Sequence, residues 1–308
     1  MNRICRICLE ATGEHDDYHG KCLHALFGVA KVPRIEISLS KLHTAALAMA
    51  GHTSLSGVQK KISVNLTADR ETLQVAAEGG RYILKPQTEA YPSLPENEQV
   101  TTCLARLVDI EVPQFGMVPL SDGSLAFISR RFDRQPGGQK LRQEDFCQLA
   151  EQSPKDKYEG SAELCVRLLR KYATEPLIEL LKLYRLLVFA WWSGNGDLHL
   201  KNLSVLADPQ GVMRLTPAYD LVNTRLLIPD DPLALPVAGK KSKLTRNTWR
   251  EFAEYCGIPA KTAGRVLDNQ ASVTGAANAL LDACFLPEEQ KSGFKALIAA
   301  RTTRLRGS

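Results

Sequence analysis

No run in this sequence is apolar and long enough to cross a bilayer. The most hydrophobic window, "LIELLKLYRLLVFAWW", carries Glu179, Lys182 and Arg185, so it reads as a buried core helix and not a membrane span. The N-terminal "MNRICRICLEATGEHDD" lacks the uninterrupted apolar core of a secretory leader. Internal repeats, low-complexity tracts and a basic tail for nucleic acid are missing as well. Eight cysteines scattered over 308 residues do not make a disulfide framework. These absences point to a reduced, cytoplasmic protein with no membrane partner.

A paired C-x-x-C zinc motif is also missing. Cys5, Cys8 and Cys22, with His15, His19 and His24 nearby, could supply ligands. Only one C-x-x-C is present, however, and no second C-x-x-C follows. The stretch therefore reads as an apolar turn whose cysteines pack as hydrophobes, and is expected to be metal-free.

What is present is an ordinary globular composition, 44% hydrophobic and 24% charged, with a mild net charge of +5. The length suits two lobes, each with its own core. "CLHALFG" predicts a short helix closed by Gly28, and "ISLSKLHTAALAMAG" a second, capped by Ser40 and stopped by Gly51. "KISVNLT", "TLQVAA" and "RYILKP" alternate in the manner of an antiparallel meander. "PENEQVTTCLARLVDI" has helical period and an acidic first turn. "FGMVPL" and "SLAFIS" flank Ser121-Asp122-Gly123, a hairpin turn.

From residue 140 the pattern turns helical: "LRQEDFCQLAEQ", "GSAELCVRLLRKYA" and "EPLIELLKLYRLLVFAWW", the last with Pro176 in its first turn. "NLSVLAD" and "VMRLTP" read as short strands around Gly211, and mostly helical sequence follows. The expectation is a bilobal α+β protein. A strand-rich lobe spans 1–132 and a helical lobe 133–308, with "RRFDRQPGG" as hinge and the cleft between them as the site.

Within "GNGDLHLKNLSVL", Asp197 and Asn202 stand five apart, after a buried helix and before a strand. Protein-kinase catalytic loops use that spacing, although the preceding His-Arg is absent here. The Asp accepts the proton of an attacking hydroxyl, and the Asn oxygen reaches a metal on phosphate oxygens. "TPAYDLV" sets Asp220 where a kinase keeps its metal-holding Asp-Phe-Gly, with Leu221 and Val222 in place of Phe and Gly. Two hard oxygen donors suit Mg²⁺ shared with ATP. Lys85 ends the apolar strand "YILKP" and would meet the α- and β-phosphates, with Glu98 as its orienting partner and Glu96 as runner-up. In "HTSLSGVQKK", Gly57 would let amides face a phosphate while Lys60 or Lys61 supplies charge.

Taken together, "SGVQKK", "YILKP", "NE" opening a helix, "RRFDR", "EDFCQ", "GNGDLHLKNLS", "PAYDL" and "GKKSKLT" resemble the HipA family of toxin kinases. The resemblance runs from about residue 33 to the C-terminus, in the family's order. Only 51 residues precede the serine-glycine loop, which is similar to the short HipT form whose missing subdomain is a separate HipS protein. The resemblance implies a kinase-like fold and an ATP-dependent serine/threonine kinase that phosphorylates an aminoacyl-tRNA synthetase, tryptophanyl favoured by the length, and arrests translation. It implies HipS-like and HipB-like antitoxin partners, with DNA reached only through the antitoxin.

Carried over residue by residue, the resemblance makes Asp197 the catalytic base, and Asn202 and Asp220 the Mg²⁺ ligands. It assigns ATP to Ser56, Gly57, Val58, Gln59, Lys60, Lys61 and Lys85, to the hinge Arg130, Arg131 and Phe132, and to His199, Lys201 and Tyr219 beside the catalytic motifs. It also implies that Ser54 and Ser56 are autophosphorylated, placing negative charge where nucleotide phosphates must lie. Two other readings are a kinase-like binding module acting within an antitoxin complex, and a small-molecule phosphotransferase on a related fold.

Overall fold

A computed structural model gives the architecture; residues 3–41, 53–54, 59–77, 79–135 and 137–307 are described. The expected helix over "ISLSKLHTAALAMAG", with its stop at Gly51, falls mostly outside the described residues, as do Ser56, Gly57 and Val58.

An N-terminal knuckle leads into helix α1 (Gly20–Phe27), which Gly28 closes at φ 74°, in the left-handed conformation that glycine adopts without steric cost. A two-stranded ribbon, β1 (Thr53–Ser54) and β2 (Gln59–Lys60), frames the serine-glycine stretch. Five antiparallel strands follow in one sheet: β3 (Ile62–Leu66), β4 (Leu73–Val75), β5 (Tyr82–Lys85), β6 (Phe115–Pro119) and β7 (Leu125–Arg130), in spatial order β4-β3-β5-β7-β6. The meander expected over the first three strands is corrected: β5 skips β4 and pairs with the other edge of β3. Both strands thereby bury Ile62, Val64, Tyr82 and Leu84 in the same layer. The β6–β7 hairpin turns at Gly123, φ 82°, and the Asp122 carboxylate accepts from the Ser124 amide at 3.0 Å.

The period of two divides this sheet between two cores. Val64, Leu84, Ala126 and Ile128 face α1 and the N-terminal knuckle. Phe115, Met117 and Phe127 face the other way, toward helix α2 (Leu94–Arg106) and the helical core. Lys85, next to Leu84 in β5, emerges with Phe127 on that second face. The strand's alternation thus delivers one lysine into the interior.

Past residue 133 the chain adds a small sheet of order β10-β9-β8, built from β8 (Gln143–Asp145), β9 (Ser204–Ala207) and β10 (Met213–Leu215). "LRQEDFCQLAEQ", expected as a full helix, is instead β8 and a single turn, α3 (Phe146–Leu149). Asp145 and Gln148 form a reciprocal capping box that starts this turn, and the three residues before it pair with β9. Helices α4 (Ala162–Tyr172) and α5 (Pro176–Ser193) stand as expected, followed by α6 (Arg246–Cys256), α7 (Ala260–Ser272), α8 (Thr274–Ala283) and α9 (Glu288–Arg306). Trp191, Trp192, Trp249, Phe252 and Phe294 fill the core among them. No helix among the described residues is long and apolar enough to cross a membrane.

Cysteine burial divides by region. Cys103, Cys147, Cys165, Cys256 and Cys284 are buried thiols, but in the knuckle Cys8 and Cys22 are only partly covered. Both still pack against the core that buries Cys5.

Candidate active site

The sheet, α2 and the loop after β10 line a cleft between them. Ile83 and Lys85 from β5 and Phe127 and Ser129 from β7 line one wall because they share the sheet face. Arg130, Arg131 and Phe132 form the rim, and Tyr219 and Asp220 close the far side.

Lys85 is the centre of the buried charge. Its Nζ donates to Glu98 Oε1 at 2.5 Å and to Asp220 Oδ1 at 2.5 Å. Lys61 Nζ reaches the other oxygen, Asp220 Oδ2, also at 2.5 Å. Burial alone would lower the Lys85 pKa, but the Asp220 and Glu98 carboxylates outweigh it and push it up, so the side chain stays protonated. Burial likewise works to raise the Asp220 carboxyl, and the two lysines overcome it and hold it far below the usual range. Asp220 itself sits at φ 55°, an uncommon conformation for a non-glycine residue. Glu98, and not Glu96, is the lysine's partner: Glu96 instead accepts from Gln87 Nε2 at 2.7 and 2.8 Å.

Asp197 hangs from the turn after α5, and two glycines explain how. Gly194 ends the helix at φ 84°, and a Cβ there would lie 2.5 Å from Asn223 Oδ1. A Cβ on Gly196 would run into the Asp231 carboxylate and come within 2.6 Å of the Pro232 carbonyl oxygen. The Gly196 amide donates to Thr224 Oγ1 at 2.8 Å, and that hydroxyl donates to Asp231. Only glycine fits both places, so the "GNGD" run is a packing requirement as well as a motif.

The Asp197 carboxylate accepts a 2.6 Å hydrogen bond from Tyr158 Oη. Burial raises its pKa and the tyrosine hydroxyl opposes the rise. His199 lies 3.9 Å from the same oxygen and is buried, which depresses its imidazole to about 4 and keeps it neutral. Asn202 donates through Nδ2 to the Asp197 carbonyl at 2.9 Å, fixing the loop between them and leaving its side-chain oxygen for another partner. Lys201 offers its carbonyl to Tyr219 Oη at 3.0 Å, and its charge lies near Asp145. Gln59 and Lys60 belong to β2, next to the serine-glycine stretch.

Several contributors were not read from the sequence. Tyr158 comes from a loop with no motif of its own. Asp133, 3% exposed, takes a bidentate grip from Arg131 at 2.8 and 2.6 Å and fixes the rim. Asn97 on α2 exchanges two hydrogen bonds with the Asn223 backbone, at 2.8 and 2.9 Å, tying the Glu98 helix to the segment that carries Asp220.

Residues 53–277 match the family described as "HipA-like C-terminal domain". The chain belongs to this family. It is 31% identical over 237 residues to "Putative kinase Y4mE" of Sinorhizobium fredii, covering 73% of this chain and 56% of that one. It is 26% identical over 277 residues to a "Putative kinase" of Haemophilus influenzae, covering 82% and 80%. The chain therefore spans little more than half the length of the Sinorhizobium relative. Its fold matches a chain from the Shewanella oneidensis MR-1 toxin–antitoxin complex of HipA, HipB and operator DNA, with TM-score 0.70 and 21% identity over 97% of this chain and 77% of that one. It also matches CtkA, a proinflammatory kinase of Helicobacter pylori, with TM-score 0.54 and 13% identity over 79% and 93%. The bilobal HipA-like α+β architecture expected from the sequence is thus the observed one.

Proposed function

We propose that this chain is a toxin kinase, a serine/threonine protein kinase that transfers the γ-phosphoryl group of ATP to a protein hydroxyl. The observation that carries this reading is the Lys85–Glu98–Asp220 constellation at the back of the cleft, with Lys85 and Glu98 buried and Lys61 on the same Asp220 carboxylate. A buried lysine held by one carboxylate while touching a second is arranged to meet a polyphosphate and to position a metal-binding acid. We place the lobe boundary after Phe132, where the cleft rim leaves β7.

In this reading Lys61 and Lys85 hold phosphate oxygens, and Arg130, Arg131, Phe132 and Tyr219 hold the nucleoside end. Asn202 and Asp220 offer hard oxygens that fit Mg²⁺, and Asp220 is kept anionic by its lysines. When bound, Mg²⁺ supplies neutralisation of the charge on the phosphate oxygens. Asp197 takes the proton of the acceptor hydroxyl as its oxygen bonds to the γ-phosphorus. The bond to the β–γ bridging oxygen breaks, and ADP leaves with that electron pair. Neutral His199 and the Tyr158 hydroxyl keep the Asp197 carboxylate oriented.

For the acceptor we favour an aminoacyl-tRNA synthetase, tryptophanyl first, with Ser54 and Ser56 modified in cis. The Shewanella complex of HipA, HipB and operator DNA supports a HipB-like antitoxin partner; that this partner carries the DNA contact, and that a HipS-like partner exists, follow from the family resemblance. Phosphoproteomics after brief induction, beside an Asp220→Gln control, tests the whole reading. A synthetase phosphopeptide present only with the active chain is the expected result. No Asp220-dependent phosphoprotein would sink the kinase reading, and a dependent small-molecule phosphate ester would replace it.

A further inference from the structure

Away from the cleft, the N-terminal knuckle gathers four side chains that the kinase reading does not use. The ligand atoms of Cys5, Cys8, His19 and Cys22 all lie within 4.8 Å of one another. A tetrahedral zinc with sulfur at about 2.3 Å and nitrogen at about 2.0 Å has ligand–ligand edges of about 3.5–3.8 Å. Two edges are close to that length already: Cys8 Sγ to His19 Nδ1 is 3.3 Å and Cys22 Sγ to His19 Nδ1 is 3.9 Å. The spacing is Cys-x₂-Cys followed by His-x₂-Cys, a paired pattern whose second half begins with histidine.

The surroundings favour ligation over packing. His19 Nε2 lies 3.0 Å from the Ala11 carbonyl, which can only accept, so the proton sits on Nε2 and the Nδ1 lone pair is turned toward the sulfurs. His19 also occupies the N-cap of α1 and makes no capping bond with its side chain there. The His19 amide donates to Cys5 Sγ at 3.4 Å, a contact that stabilises thiolate sulfur. Between the first two cysteines the chain folds into a tight knuckle: the Cys5 amide donates to Glu10 O at 2.9 Å and Leu9, at φ 64°, donates back to Cys5 O at 3.0 Å. All three cysteines are free thiols.

We propose that Cys5, Cys8, His19 and Cys22 form a closed tetrahedral zinc site. Four protein ligands leave no coordination position for substrate, so the site is structural. Each thiol that ligates releases its proton to solvent, and binding therefore weakens on acidification. The knuckle is sewn to the kinase-like sheet and to α2. The Arg6 carbonyl accepts from the Met117 amide at 2.8 Å and from Gln99 Nε2 at 2.6 Å, and Tyr18 Oη donates to Met117 O at 2.9 Å. Zinc would thus lock a brace on the helix that carries Glu98, without entering the cleft.

The test is metal analysis of the full chain, purified in reductant without chelator. We expect one zinc per chain, falling to background in Cys8→Ser and in Cys22→Ser, while Cys147→Ser, outside the cluster, keeps it. Because the serine variants can lose zinc by misfolding, the stripped wild-type chain is also titrated with cobalt(II). The expected spectrum has the intense d–d bands and thiolate charge transfer of a tetrahedral sulfur-rich site, and one equivalent of zinc abolishes it. A wild-type chain that is zinc-free as purified and takes up no cobalt overturns the proposal. So does zinc retained equally by both serine variants, or a disulfide among these cysteines in the reduced protein.

Discussion

Replacing Lys85 with methionine keeps the apolar stem and removes the cation shared by Glu98 and Asp220. At the 2.5 Å seen for each contact, an effective dielectric near 20 gives a gross attraction of about 6–7 kcal/mol per pair. Desolvation of the buried ions takes back several kcal/mol each, and the usual net cost of removing one partner is about 3–5 kcal/mol. Asp220 keeps Lys61, so the cost falls mainly on Glu98. Its second oxygen has no hydrogen-bond partner among the described residues, and burial already pushes its carboxyl up.

The variant relieves that cost by protonating Glu98. Its folded pKa is then raised further above the unfolded value, so the folded state binds more protons and stability falls as pH rises through that window. Urea unfolding should therefore show Lys85→Met about 3–5 kcal/mol below wild type at about pH 8, with a narrower gap at about pH 5. Adding Glu98→Gln to Lys85→Met should recover part of the loss at the higher pH. A deficit below about 1 kcal/mol, the ceiling for exposed pairs, would refute the buried constellation. So would a deficit that is independent of pH, or a double variant that merely adds the two losses.

Four further outcomes follow from the site. Asp197→Ala should abolish phosphoryl transfer while leaving Mg²⁺-ATP affinity largely intact, whereas Asp220→Ala should weaken it; calorimetry giving equal affinities would mean the roles are misassigned. Tyr158→Phe removes the hydrogen bond that opposes the rise in the Asp197 pKa, so the acid limb of the pH–rate profile should move to higher pH with ATP affinity unchanged, an unmoved limb counting against it. His199, depressed to about 4 by burial, should show no imidazole titration between about pH 6 and 7, the range of an unperturbed histidine, when followed by NMR. Gly196→Ala forces a Cβ to within 2.6 Å of the Pro232 carbonyl, which should cost about 1–3 kcal/mol in thermal unfolding and slow transfer more than it weakens nucleotide binding.

How much of this was legible in the sequence depends on whether the cause was local. Helices α2, α4 and α5 were readable because period and start signals lie within each segment: Glu96 stands in the first turn of α2, Ser161 accepts from the Leu164 amide, and Pro176 opens α5. Lys85 and Glu98 were readable for the same reason, one ending a strand and the other sitting in a helix's first turns. Strand order was not. A meander and the observed β4-β3-β5 arrangement demand the same alternation, and only the burial of Ile62 beside Leu84 chooses between them. Residues 143–145 were misread as helix because three polar residues carry no strand pattern; pairing with β9 overrides their propensity.

The misses within the site share that logic. Tyr158 reaches Asp197 across 39 positions, and Asn97 reaches Asn223 across 126, so nothing near either residue announces the bond. The ligands proposed for zinc are a different case. Their spacing was in plain view, but a search for a second C-x-x-C passes over His19-x₂-Cys22, although a histidine nitrogen serves a tetrahedral site as well as a sulfur does. What the fold adds is the choice among three nearby histidines. His19 stands at the N-cap of α1, 3.3 Å from Cys8 Sγ, because the helix starts there and turns Cys22 onto the same side. His15 precedes the helix and His24 lies in its last turn, so neither can take the fourth corner.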